Sequence, residues 1–182
     1  MDSDSVRLII VMVVLVVLSA FFSSAETAFS SLNQVKLKSM LGEEGKKTKR
    51  IKRALSLSEE YDVVLSTILI GNNLVNIACT AISTIVFTGI YGESLGTTLS
   101  TIIMTIIVLI FGEVTPKQIA KERAESYAIL ISPLVKFFII LFSPLSLFFR
   151  GWSKLMNKIF GLGKVSAVTE EELKTYVNEA HT

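Results

Sequence analysis

Residues 6–22, from Val-Arg-Leu-Ile-Ile to Phe-Phe, form an almost unbroken apolar run, close to the ~20 residues a helix needs to cross the hydrocarbon of a bilayer. No other feature narrows the possible folds as much. Inside a bilayer every backbone N–H and C=O must be satisfied within the protein, which leaves helices and closed barrels. A cleaved signal peptide would have a basic start and a small-residue cleavage site. Here Asp2 and Asp4 flank the start and no A-x-A pattern follows, so the run is expected to remain as a transmembrane helix. Two more such runs follow, from about Asp62 to Ile90 and from Thr97 to Phe111. With 51% hydrophobic residues and three prolines in 182, the fold class is an all-α membrane protein.

Several function classes drop out. The net charge is only +2 and the basic residues are not interleaved with aromatics, which argues against nucleic acid. The single cysteine, Cys79, allows no internal disulfide and no cysteine metal cluster; within an apolar run it reads as an inert buried thiol. The lone His181 stands next to the C-terminus. There is no H-E-x-x-H motif, no serine beside a plausible base and no aspartate inside a span, so the chain is not read as an enzyme.

Charge sets the expected topology. Residues 36–53 carry Lys36, Lys38, Lys46, Lys47, Lys49, Arg50, Lys52 and Arg53 against Glu43 and Glu44, with Gly42 and Gly45 as breakers. A short loop this basic belongs on the cytoplasmic side, where it could also touch anionic lipid, and it puts the N-terminus outside. Residues 89–96 contain no Lys or Arg, as an outside loop should. Lys117, Lys121 and Arg123, interspersed with Glu122 and Glu125, again read as cytoplasmic.

Residues 128–149 are apolar but interrupted by Pro133, Lys136 and Pro144, and Arg150, Lys154, Lys158 and Lys164 follow. Basic segments on both sides disfavour a full crossing. Three transmembrane helices plus a juxtamembrane helical belt are therefore expected over four spans, with Arg150 and Trp152 at headgroup level. Thr169 and Glu172 have capping-box spacing and would start a short helix. Residues 1–150 thus read as the transmembrane domain, and 151–182 as a cytoplasmic linker and helix leading to a further domain that this sequence lacks.

Each span carries a polar notch. In the first, Ser19, Ser23, Glu26/Thr27 and Ser30 repeat at helical spacing, with Ser24 alongside. Hydroxyls on one face are ordinary packing chemistry in membranes; an acid such as Glu26 at the edge of a span points to function. In the second, Ser66, Asn73, Asn76, Thr80 and Ser83 fall on one face and Asn72 to its side. Interhelical hydrogen bonding is the alternative use of these amides. In the third, Thr101, Thr105, Val108 and Gly112 share a face leading to Phe111-Gly112-Glu113-Val114-Thr115-Pro116-Lys117.

Pro116 has no N–H for the Gly112 carbonyl four residues back, and Thr115 before it is biased away from helical angles. A freed carbonyl beside Glu113 would need protein, water or an ion to satisfy it; the plainer alternative is a helix end with Glu113 at the surface. The asparagines lie deeper than the other two notches, a mismatch absorbed if the second helix starts below the membrane. The notches would then converge on Ser23, Ser24, Asn73, Asn76, the Gly112 carbonyl and one or two carboxylates. All are oxygen donors, suited to a hard cation such as Mg²⁺. Soft metals are disfavoured, Na⁺ would accept the same ligands, and neutral oxygens bind weakly enough to release an ion.

The segments Phe21-Phe22-Ser23-Ser24-Ala25-Glu26-Thr27-Ala28-Phe29-Ser30, Gly71-Asn72-Asn73-Leu74-Val75-Asn76 and Phe111 to Lys117, taken in order, resemble the transmembrane domain of the CNNM/CorC magnesium transporters, over residues 5 to about 150. The resemblance implies a homodimer in the plasma (inner) membrane with three membrane helices and a belt, exporting Mg²⁺ coupled to Na⁺ influx. It also implies a following cytosolic pair of CBS modules that binds ATP, absent from this sequence. Carried over to matching positions, the ion site falls on Ser23, Ser24, Glu26, Asn72, Asn73, Asn76, Gly112 and Glu113, with Gly71 and Pro116 as structural hinges. Helical spacing favours Asn73 and Asn76, while an opening at Gly71 would turn Asn72 inward. The alternative is a membrane anchor and dimerisation platform for the cytosolic part.

Overall fold

The computed structural model describes residues 3–41, 46–145, 148 and 151. Every element among them is helical: α1 (Ser3–Ser30), α2 (Gln34–Ser39), α3 (Lys46–Glu59), α4 (Tyr61–Tyr91), α5 (Glu93–Ile107), a π-helical segment (Val108–Val114), α6 (Thr115–Glu122) and α7 (Ala124–Leu141). The expectations for Gly42, Gly45, Arg150, Trp152, His181 and the Thr169–Glu172 capping box fall outside the described residues. The chain divides into two units, Met1–Ser143 and Pro144–Thr182, and the fold below is that of the first.

Four stretches are long and apolar enough to cross a membrane: Ser5–Ser30, Tyr61–Tyr91, the continuous rod Glu93–Glu122, and Ala124–Leu141. In α1 the half near the N-terminus exposes Val6, Ile10, Val13, Val14 and Val17, whereas the other half buries Phe22, Ala25, Ala28 and Phe29. A helix apolar on all sides suits lipid outside and protein inside. The buried half packs with Val64, Ile68 and Val75 of α4, Ala120 of α6, and Ala128, Ile131 and Val135 of α7 in one core.

The residue 89–96 loop contracts to one residue. α4 continues through Tyr91, α5 starts at Glu93, and Gly92 alone reverses the chain at φ 81°, ψ 169°, a region essentially limited to glycine. Small residues let the two helices close: a Cβ on Gly96 would lie 2.5 Å from Thr88 Cα, and Ser83 Oγ and Ser100 Oγ are 2.7 Å apart. This is membrane-type packing through small and hydroxyl residues.

The basic stretch expected as a loop is largely helical. Asn33 caps α2, its side chain accepting the Lys36 N–H at 3.1 Å. In α3, Ile51, Ala54, Leu55 and Ser58 recur at three and four and are buried, while Lys47, Lys49, Arg50 and Lys52 are exposed. That is an amphipathic helix with a narrow apolar stripe, easily hidden in a sequence by its lysines. The stripe forms a second small core with Leu37 and Ile129 of α7.

α7 crosses the bundle's end. Tyr127 Oη is 2.8 Å from Ser24 Oγ, and the Phe138 ring lies 5.6 Å and 4.8 Å from those of Phe21 and Phe22. Partners eleven residues apart on α7, about 16 Å of helix, thus fall only two or three residues apart on α1, about 3–5 Å. The helix lies across α1 instead of along it. Lys36 Nζ, 2.9 Å from Glu125 Oε2, ties its start to α2. Pro133 inside α7 cannot donate to the Ile129 carbonyl; the Ser132 hydroxyl does so, at 3.1 Å.

Candidate metal site

Ser19, fully buried in α1, donates its hydroxyl to Asn76 Oδ1 at 2.7 Å and sits 3.3 Å from Asn72 Oδ1. Asn72 and Asn76, four residues apart, flank the buried stripe of α4 formed by Ile68, Gly71, Val75 and Cys79. Gly112 closes the third side. A Cβ there would lie 2.9 Å from Ser19 Oγ, so only glycine lets the backbone of the third rod come this close. Three helices thus converge here, two of them bringing neutral oxygen donors.

Where a helix break was expected, the third rod stays helical and widens. Residues 108–114 form a π-helix, Thr115 keeps helical angles (φ −62°, ψ −47°), and its N–H donates to the Ile110 carbonyl five residues back. The physical reason is that a π turn places Pro116 in the first turn of a new α-helix, where its missing N–H costs nothing. Such widened turns are frequent at functional sites. Beside it opens a cleft of about 240 Å³ lined by Asn76, Thr80, Thr101, Met104, Thr105, Val108, Leu109 and Glu113. The expected hydroxyl track of Thr101 and Thr105 is thus part of the cleft, while Gly112 faces Ser19.

The remaining predicted residues divide. Ser23, at 0% exposure, has an Oγ with no hydrogen-bond partner, one helical turn beyond Ser19 on the same face. Ser24 Oγ donates to the Phe21 carbonyl at 2.9 Å, which leaves Tyr127 Oη as the donor in their mutual bond. The Glu26 carboxylate is held by Lys117, with Nζ 3.0 Å from Oε2. Asn73 departs from the helical-face reading: it is exposed, and its amide donates to the Leu69 carbonyl of its own helix at 2.9 Å.

The opening expected at Gly71 is also not formed, since α4 runs unbroken through it. The glycine instead admits the Phe22 ring, which a Cβ would approach to 2.4 Å. Two participants were not singled out for the site. Ser19 had a signal, standing four residues before Ser23 on the hydroxyl face. Tyr127 had none, because nothing in the sequence brings α7 to Ser24.

Chemically, Ser19, Asn72 and Asn76 put three oxygens together with one hydroxyl proton among them. An acceptor-rich point of this kind favours a cation. Among the described residues no group of three or more His, Cys, Asp or Glu could hold a metal, so a cation here would meet mainly neutral oxygens, with Glu113 at the cleft. That donor set fits a hard cation.

Comparison with known proteins agrees with the membrane fold. The model of the cyclin M (CNNM) transmembrane N-terminal domain matches residues 10–182. A UPF0053 protein of Haemophilus influenzae is 36% identical over 95% of this chain and 41% of its own length. The UPF0053 inner membrane protein YfjD of Escherichia coli is 35% identical over 91% and 39% respectively. The polyamine export protein of Escherichia coli is 28% identical over 86% and 37%. The chain therefore spans about two fifths of the length of these curated relatives. On the family match and these identities, the chain is a multi-pass membrane protein that belongs to the CNNM family.

Proposed function

We propose that this chain is the membrane domain of a Mg²⁺ exporter of the plasma (inner) membrane, coupled to Na⁺ influx and working as a homodimer. The observation that carries the reading is the convergence of Ser19, Asn72, Asn76 and Gly112 from three helices at a π-widened turn. Pro116 has no N–H for the Gly112 carbonyl, and the Ser23 hydroxyl nearby is buried without a partner. The Ser23 oxygen would gain from a cation. Neutral ligands replace water without holding the ion too tightly to leave, and the 240 Å³ cleft has room for a cation that keeps part of its water shell, as Mg²⁺ does.

The topology that goes with this reading has three crossings, the N-terminus outside and the C-terminus cytoplasmic. The steep crossing of α7 supports a belt at the inner interface, and the exposed Lys47, Lys49, Arg50 and Lys52 of α3 support that face as cytoplasmic. Nucleotide control would belong to a separate cytosolic part.

A second reading rests on the cleft's mixed walls. Met104, Val108 and Leu109 face Asn76 and Glu113, which would also suit an aliphatic polycation, the substrate class named for one relative. Liposome flux with imposed Mg²⁺, Na⁺ and spermidine gradients tests both. Mg²⁺ movement driven by Na⁺ and lost in Asn76→Ala is expected. Spermidine movement alone would favour the second reading, and no flux of either would favour an anchor and dimerisation platform.

A further inference from the structure

The pair Lys117–Glu26 is a cation–carboxylate contact at the end of the site, and its cation belongs to the protein. Lys117 Nζ lies 3.0 Å from Glu26 Oε2, and both side chains are partly buried, at 39% and 28% exposure. Glu26 stands three residues after Ser23 on α1, and Lys117 five residues after Gly112, just past the π turn. The bridge therefore joins the two helices that Ser19 and Gly112 hold together one or two turns deeper. Ser24 Oγ, bonded to Tyr127 Oη, fixes the same stretch of α1 against α7.

A carboxylate at the edge of a membrane segment is expensive to leave unpaired. A lysine serves this place better than an arginine would, because its ammonium is a compact point charge on a flexible stem and releases a carboxylate without breaking a bidentate fork.

We propose that Lys117 is a tethered stand-in cation: it occupies Glu26 when the site holds no ion and is displaced when a metal cation reaches Glu26. The proposal rests on the cation-transport reading above and adds to it the group that competes for the carboxylate. Exchange of ammonium for metal keeps the carboxylate neutralised at every stage, so neither arrival nor departure of the ion leaves a bare carboxylate. Displacement also unties α6 from α1, which couples occupancy to movement of the rod that carries Gly112.

The test is Mg²⁺ titration of the purified chain by calorimetry, with thermal unfolding of each variant measured without Mg²⁺. Wild type, Lys117→Gln, Lys117→Arg, Glu26→Gln and the double variant Glu26→Gln/Lys117→Gln are compared. A partly exposed ion pair competes only modestly, so its removal in Lys117→Gln is expected to tighten Mg²⁺ binding about three- to sixfold. Lys117→Arg is expected to bind no more tightly than wild type. Glu26→Gln should weaken binding and abolish the effect of Lys117→Gln in the double variant.

Unchanged or weaker binding in Lys117→Gln, with a lower melting temperature, would mean a purely structural bridge and overturn the proposal. Should Lys117→Gln fail to fold, unaltered affinity in Glu26→Gln alone overturns it as well. Absence of any Mg²⁺ response in wild type would instead remove the transport reading, a result distinct from either.

Discussion

A serine hydroxyl has one proton to give, and Ser19 faces two amide oxygens, at 2.7 and 3.3 Å; this shortage makes the point attractive to a cation. Asn76→Ala is therefore expected to weaken Mg²⁺ binding by about tenfold or more, roughly 1.4 kcal/mol, whereas Asn73→Ala, whose amide serves its own helix, should leave calorimetric affinity unchanged. Equal losses in both would contradict the geometry. Gly71 gives a test of packing. Its Cβ would come 2.4 Å from the Phe22 ring, and Phe22 is 1% exposed, so the ring has little room to yield. Overpacking of this kind costs about 1–3 kcal/mol against about 1 kcal/mol gained in helix propensity, so Gly71→Ala should lower the melting temperature, and adding Phe22→Leu should restore most of it. At this scale the sequence marked hydroxyls and amides at helical spacing, and the fold brings Ser19, Asn72 and Asn76 together. The sequence could not rank Asn72 above Asn73, because a rotation of about 100° per residue becomes meaningful only once the partner helix is in position.

At the scale of elements, Pro116 has the largest effect for its size. Reading the chain alone, a proline after a glycine suggests a helix that stops. The rod Glu93–Glu122 instead takes up the missing bond by widening to a π turn over Val108–Val114. Pro116→Ala returns an N–H to the Gly112 carbonyl and removes the steric push on the preceding turn. The segment should then relax towards α-helix, rotating Gly112 and Glu113 relative to Ser19. Weaker Mg²⁺ binding with an unchanged or higher melting temperature is the expected outcome, and undiminished affinity would separate the π turn from ion binding. The three long apolar rods were legible because bilayer crossing demands length and hydropathy, which sequence carries directly. α3 was not, since its buried stripe of Ile51, Ala54, Leu55 and Ser58 is masked by neighbouring lysines and arginines. The Gly92 reversal was hidden for a different reason: Gly89, Gly92 and Gly96 all look like turn residues, and only the packing of Gly96 on Thr88 distinguishes a contact glycine from a hinge.

For the molecule as a whole, the question is whether α7 spans the bilayer, because its length and composition alone permit it. Composition cannot decide, since a helix lying in the interface and one crossing the core can be equally apolar. The partners of α7 bear on the proposed belt. Tyr127 meets Ser24 and Phe138 meets Phe21 and Phe22, Glu125 meets Lys36, and Ser132 Oγ is 3.5 Å from the Arg50 carbonyl. All of these lie near one end of α1 or on the basic α2 and α3. A crossing helix about 27 Å long would need partners spread along the opposite half of α1, where Val6, Ile10, Val13 and Val14 are exposed. The belt arrangement predicts that Ser126→Cys and Ser143→Cys, one at each end of α7, react with an impermeant thiol reagent from the same side of sealed vesicles in a Cys79→Ser background. Modification from opposite sides would establish a fourth crossing and place the C-terminus across the membrane from the basic helices.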